Sequence, residues 1–159
     1  MRVYLVQHGE AQSEAVSAER ELTPRGRSDV ERVAAFLAAT GVRVARVQHS
    51  GKTRARQTAE LLAARLAPGS APEALAGLAP NDPVEPIAEL LRGSSADTLI
   101  AGHQPFMGRL VALLVAGRAE PPVVDYRPGS VACLERDAGN RWTLAWMVRP
   151  ELLAGGAPA

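Results

Sequence analysis

The chain has 159 residues, 47% of them hydrophobic, which is enough for one domain with a full core and too little for a second. Its 18 Lys and Arg against 17 Asp and Glu leave a formal net charge of +1, so there is no bulk electrostatic case for nucleic acid or an anionic membrane, and any positive patch is local. The single Cys133 excludes an internal disulfide and a cysteine-only metal site. The longest apolar run, Leu110 to Ala116, falls far short of the ~20 residues of a membrane span, and the apolar segment after Met1-Arg2 is too short for a signal peptide, so a reducing cytoplasm is the expected setting.

Val3 to Val6 form an apolar run that ends on Gln7-His8-Gly9-Glu10, as expected of a strand covered on both faces that delivers a histidine to its carboxyl end. Gly9 is expected to let the backbone turn there and a ligand approach the ring. Ala11 to Glu21 is polar, acidic and without periodicity, hence a loop beside His8. Thr23 as N-cap and Pro24 at N1 open a helix whose apolar stripe, Val30, Val33, Ala34, Phe36 and Leu37, stops at Gly41. Val42 to Gln48 alternates as a second strand, and Ser50 or Thr53 is expected to cap a second helix carrying Arg54 in its first turns and Leu61, Leu62 and Leu66 beyond. A cation there opposes the helix dipole, which suggests either an exposed residue or an anion shared with the backbone amides.

Pro68 to Ala79 reads as a connection with at most a short strand at Glu73 to Leu75. Asp82 is expected to cap a third helix whose face is Val84, Ile87, Leu90 and Leu91. Asp97 to Gly102 then repeats the opening pattern: an apolar strand, a glycine, and His103-Gln104-Pro105 leading into a fourth helix. Ser130 to Leu134 and Trp142 to Val148 predict a hairpin, and residues 151–159 a frayed tail after a single domain over 1–150. Strands alternating with helices give an α/β class with a mostly parallel sheet sandwiched by helices and an antiparallel C-terminal hairpin at one edge.

Parallel strands present their carboxyl ends on one side, so His8, Arg54 and His103 are expected to meet. Two imidazoles and a guanidinium suit phosphoryl transfer through a covalent phosphohistidine, which needs a neutral nucleophile and fixed positive charge. A zinc site from His8, His49, His103 and Glu10 is the competing arrangement, disfavoured by the Arg54 charge. His49 reads as a packed or surface residue.

Four stretches in order, Leu5-Val6-Gln7-His8-Gly9-Glu10-Ala11, Leu22-Thr23-Pro24-Arg25-Gly26, Ser50 with Arg54-Ala55-Arg56-Gln57-Thr58, and Ala101-Gly102-His103-Gln104-Pro105, resemble the histidine phosphatase superfamily, and within it the small SixA-type phosphohistidine phosphatases. The resemblance implies a phosphoglycerate-mutase-like fold, His8 as nucleophile, Arg54 as phosphate clamp and His103 as the second histidine. Gln7, Gly9, Ser50 and Gln104 are expected to line the substrate site, with no cofactor and no metal. It also implies a substrate that is a phosphohistidine-bearing protein or a small phosphorylated molecule; the near-zero net charge and the lack of an apolar stripe beyond what one core explains point to a monomer without nucleic-acid or membrane partners. This chain departs from the family in having Gln7 where arginine usually precedes the nucleophile. It also offers no clear general acid, for which Asp82 and Glu10 are the candidates, each with a plain alternative as N-cap and as solvated loop residue. A phosphatase of small phosphate esters, or a weakly active or non-catalytic phosphate-binding domain, are the alternatives.

Overall fold

The first strand is apolar at Val3, Tyr4, Leu5 and Val6, and all of these side chains are buried, which requires cover on both faces of the sheet. The computed structural model, which describes residues 1–155, provides that cover with helices on each side. The elements run β1 (Arg2–Gln7), α1 (Pro24–Ala39), β2 (Arg46–His49), α2 (Thr53–Leu66), β3 (Glu73–Ala74), α3 (Glu85–Gly93), β4 (Thr98–Gly102), α4 (Phe106–Ala116), β5 (Val131–Arg136) and β6 (Trp142–Val148). The six-stranded sheet has the order β3-β2-β4-β1-β5-β6. β1, β4, β2 and β3 are parallel, while β5 runs antiparallel to β1 and β6 antiparallel to β5.

On one face Tyr4, Val6, Leu99 and Ala101 pack against Val30, Val33 and Leu37 of α1 and Leu62 and Leu66 of α2. On the other, Val3, Leu5 and Ile100 meet Ile87 and Leu91 of α3 and Phe106 and Leu110 of α4. The chain leaves β1 toward β2 on the first face and leaves β4 toward β5 on the second. These adjacent strands therefore send their connections in opposite directions, and the crevice at their carboxyl ends is where an open α/β sheet binds ligands.

Several elements differ from the sequence expectation. The stretch from Val42 to Ala45 is a connection, held by Val44 N–H to Leu66 O and Ala45 N–H to Asp97 O, so β2 begins only at Arg46. Phe36 and Leu90 leave the apolar stripes assigned to them and are 42% and 43% exposed. Each is followed by a leucine, and with about 100° between successive helical residues only one of the two can face the sheet. Asp82 does not cap α3: its Oδ2 accepts from Ala79 N–H at 2.9 Å, closing the preceding turn, and Val84 occupies the N-cap position. Thr23 does cap α1, accepting from Gly26 N–H at 2.9 Å.

After β6, Pro150–Leu152 forms a short 3-10 helix and Leu153 packs against the core, where fraying was expected from residue 151. The rest of the expected tail, 156–159, lies outside the described residues. Among the described residues no helix is long and apolar enough to cross a membrane.

Candidate active site

Parallel pairing aligns Gln7 with Gly102, so the residues that follow, His8 and His103, emerge side by side in the crevice. The His8 amide donates to the Gly102 carbonyl at 2.9 Å, and the two imidazole centroids lie 5.0 Å apart, tilted by 59°. β2, on the far side of β4, leads through Ser50 to Lys52 into α2, whose first turn carries Arg54. Arg54 Nε donates to His8 Nε2 at 3.2 Å, and Ser50 Oγ sits 2.6 Å from His103 Nε2. His8, Arg54, His103 and Ser50 are thus brought together from three parallel strand ends.

The expected helix caps are used otherwise. Ser50 bonds to His103, and Thr53 donates through Oγ1 to Glu19 at 3.0 Å, so Lys52 occupies the N-cap position of α2 without a side-chain cap. The His8 tautomer follows from its neighbours. Its Nδ1 lies 2.7 Å from the Gly9 carbonyl, which can only accept, so Nδ1 carries the hydrogen and Nε2 offers its lone pair.

Gly9 has a different reason from the one the sequence suggested. A Cβ there would stand 2.9 Å from Val30 Cγ2 and 3.0 Å from the Gly26 carbonyl, so glycine admits α1 against the turn rather than a ligand against the ring. The Gly9 amide donates to Thr58 Oγ1 at 3.0 Å, and the same hydroxyl donates to the Arg54 carbonyl at 2.7 Å. Thr58 is fully buried and joins the His8 turn to the helix that bears Arg54. Gln57 accepts from Leu22 N–H at 2.8 Å and fastens the 11–22 loop to the same helix. The sequence reading quoted both residues without a role; their spacing from Arg54, one helical turn on, was the available signal. It missed Arg20 altogether, which lines a hollow of about 300 Å³ with Lys52 and Arg54.

The other candidates are placed as follows. Gln7 is half-buried on the rung beneath His8, and its Oε1 is buried with no hydrogen-bond partner among the described residues. Gln104 accepts from Gly108 N–H at 3.3 Å and faces a separate hollow with Arg109 and Tyr126. Glu10 accepts from Thr23 Oγ1 at 2.8 Å and lines a hollow with Arg25, Asp29 and Arg127. No carboxylate hydrogen-bonds to His8 or His103 among the described residues. His49 is buried and accepts from Gly51 N–H at 3.0 Å, and no group of three or more His, Cys, Asp or Glu side chains that could hold a metal occurs among the described residues.

The model of the histidine phosphatase superfamily (branch 1) matches residues 3–79. The chain is 30% identical over 155 residues to phosphohistidine phosphatase SixA of Escherichia coli strain K12, covering 94% of each chain. It belongs to the histidine phosphatase superfamily. The structure of the protein histidine phosphatase SixA complexed with tungstate superposes with a TM-score of 0.84 at 30% identity, covering 96% of this chain and 99% of that one. The α-ribazole phosphatase of Shigella flexneri shares the fold, with a TM-score of 0.75 at 20% identity over 94% of this chain and 97% of that one.

The site of this histidine phosphatase is electrostatically one-sided. Burial pulls the His8 pKa down to about 4; the Gly9 carbonyl opposes this, and the Arg54 and Arg20 charges assist it. Burial likewise pulls His103 down to about 3, assisted by His8, Arg54, Lys52 and Arg20. Both rings are therefore neutral near pH 7, the state in which an imidazole is nucleophilic. Burial also lowers the His49 pKa.

His8 and His103 titrate lower in the folded chain than the 6.5 of an unfolded one, so between about pH 3 and 6.5 the unfolded chain binds more protons. Their contribution to stability is fully present above pH 6.5 and is lost as pH falls through that window. The unfolding midpoint is expected to drop on acidification from pH 7 to 4.5, with a shallower drop in a His8→Asn/His103→Asn double variant. An equally steep drop in the variant would assign the acid sensitivity to other groups.

Proposed function

We propose that this chain is a phosphohistidine phosphatase over residues 1–150, acting on a phosphohistidine-bearing protein through a covalent intermediate on His8. The observation that carries the reading is the His8 Nε2 lone pair, fixed by the Nδ1–H to Gly9 contact and facing Arg54, on a ring that burial keeps neutral. In the first step Nε2 attacks phosphorus and the substrate's P–N bond breaks, the departing imidazole taking a proton from solvent water. In the second, water attacks the His8 phosphoramidate, releasing inorganic phosphate and the free ring.

Arg54 Nε occupies the lone pair at 3.2 Å, so a phosphoryl group entering the site takes over that donor and frees Nε2 in the same motion. His103, whose Nε2 meets Ser50 Oγ at 2.6 Å, would hydrogen-bond a phosphoryl oxygen by exchanging that partner for it. The SixA relatives supply the substrate class, and the tungstate bound by one of them is an oxyanion of the kind this cationic crevice favours. That no carboxylate hydrogen-bonds to either ring among the described residues agrees with a phosphorylated imidazole as leaving group, since it needs less acid assistance than an alkoxide.

The test is phosphate release from a phosphohistidine protein and from an aryl phosphate, by wild type and His8→Ala, with and without a chelator. Preference for the phosphoramidate that depends on His8 and is indifferent to the chelator supports the reading. Strong inhibition by the chelator contradicts it.

Gln7 contributes a neutral group where a cation is usual in the family. Gln7→Arg is expected to raise kcat/KM roughly fivefold to tenfold, through a charge-assisted bond about 1 kcal/mol stronger than a neutral one. Tighter competitive inhibition by inorganic phosphate should accompany it; slower turnover with unchanged phosphate binding would mean that Gln7 is adapted to this pocket.

A further inference from the structure

The loop from Ala11 to Leu22 is closed at its base by an Ala11–Leu22 bridge and by Gln12 N–H to Glu21 O at 2.8 Å. In its outer turn the Val16 and Ser17 amides both donate to the Ser13 carbonyl at 3.0 Å, and Ser17 Oγ donates to Glu21 at 2.7 Å. Gln57 Oε1 on Leu22 N–H and Glu19 on Thr53 fasten it to α2. The loop therefore holds its outward side chains in fixed positions next to Arg54. Two of them have the wrong sign for a substrate that brings only phosphate. Glu14 and Glu19 line the hollow of about 300 Å³ that also contains Lys52 and Arg54, and neither forms an ion pair among the described residues. Burial and the Arg20 charge lower the Arg54 pKa and the Glu14 charge opposes them, so the field of the loop carboxylate is felt at the phosphate clamp. On the same turn Val16 is 72% exposed, the most exposed large hydrophobic side chain among the described residues.

We infer that the outer turn of the 11–22 loop is a docking surface for the substrate protein, which carries a lysine or arginine beside its phosphohistidine, received by Glu14 and Glu19, and an apolar side chain against Val16. The inference rests on the proposed function and narrows its substrate to a phosphohistidine set in a basic, partly apolar surface. Carboxylates this close to the clamp repel an incoming phosphoryl group, and a substrate bringing a cation next to that group recovers the loss. Opposite charges side by side in one hollow also fix the orientation of a substrate that carries both signs. A small phosphate ester meets the attraction of Lys52 and Arg54 together with the repulsion of Glu14 and Glu19, so the same carboxylates that favour the protein disfavour the small competitor. The anchoring of the loop to α2 then has a function, because it fixes the distance between the carboxylates and the clamp.

The experiment measures kcat and KM on phosphoramidate and on two leucine-containing phosphohistidine peptides, identical except that lysines flank the phosphohistidine in one and glutamates in the other. The proteins are wild type, Glu14→Gln/Glu19→Gln, Glu14→Lys and Val16→Ser. Glutamine at 19 keeps an oxygen for the Thr53 hydroxyl, so the loop stays anchored. The double variant is expected to raise KM for the lysine peptide about fivefold, as the loss of two exposed ion pairs does, and to lower it for phosphoramidate. Glu14→Lys should transfer the preference to the glutamate peptide, and the wild-type preference should fade as ionic strength rises. Val16→Ser should raise KM for both peptides and leave phosphoramidate unchanged; unchanged peptide KM values would remove the apolar contact. A double variant in which KM falls for all three substrates, or rises equally for all three, overturns the docking surface and leaves the phosphatase standing. Wild-type cleavage of phosphoramidate with no release from either peptide overturns the protein substrate and the docking surface together.

Discussion

Replacing His8 by alanine is expected to lower turnover on a phosphohistidine protein by on the order of 10⁴-fold or more, because the covalent route loses the atom that attacks phosphorus. His8 Nε2 is the lone pair in the crevice whose tautomer is set by a neighbour that can only accept, the Gly9 carbonyl at 2.7 Å. The variant should also fail to acquire an acid-labile, alkali-stable label from a phosphorylated donor. Phosphate should still inhibit the reaction residual in His8→Ala, since the charge that attracts it comes from Arg54 and its neighbours. Retention of turnover would remove the covalent intermediate. Loss of both turnover and phosphate affinity, with the fold intact, would make His8 a binding group instead.

The second large effect is expected at Arg54. Arg54→Ala should lower kcat/KM by about 10²- to 10³-fold, as the loss of one preorganised donor to developing charge does elsewhere. Arg54→Lys should recover only part, because an ammonium cannot reproduce the planar fork. Two local consequences separate this role from simple packing. Removing the guanidinium takes away a charge that lowers the pKa values of both His8 and His103, so the acid limb of the rate profile should move toward higher pH. It also removes the Nε donor from His8 Nε2, so the free ring should become more accessible to alkylation. A variant with reduced rate but an unmoved acid limb would place Arg54 too far from the rings for the proposed clamp.

Thr58 explains why these two residues are coupled at all. Its hydroxyl accepts from Gly9 and donates to the Arg54 carbonyl, so the nucleophile's turn and the clamp's helix share one buried oxygen.

Much of this was legible in the chain. The run Val3 to Val6 with no polar interruption required burial on two faces, and a strand of that kind followed by His8-Gly9, repeated at Ile100 to His103, placed two histidines at the same edge of a parallel sheet. Thr23-Pro24 marked the start of α1 because capping is decided within three residues. Where two local solutions competed, the sequence reading failed. Asp82 and Ser50 have the chemistry of caps, yet Asp82 closes its own turn and Ser50 reaches His103, 53 positions away. The tail, with its Ala-Gly-Gly-Ala-Pro-Ala ending, was expected to fray from residue 151, but Leu153 packs against the core.

The sequence by itself determined the element types, the strand ends that carry His8 and His103, and the helix that carries Arg54, because periodicity, capping and apolar runs are properties of contiguous residues. The tertiary structure alone decided how those groups act on one another. The His8 tautomer depends on a backbone carbonyl oriented by a turn, and Gly9 is required by Val30 and Gly26 of α1 pressing on that turn. The depressed pKa values come from burial of the two rings where separate strand ends meet, and the 11–22 loop lies against α2 because Gln57 and Thr53 hold it there. Each of these depends on distances between segments separated by tens of residues, such as the 49 positions between Gly9 and Thr58, and such distances exist only once the sheet order has placed the segments side by side.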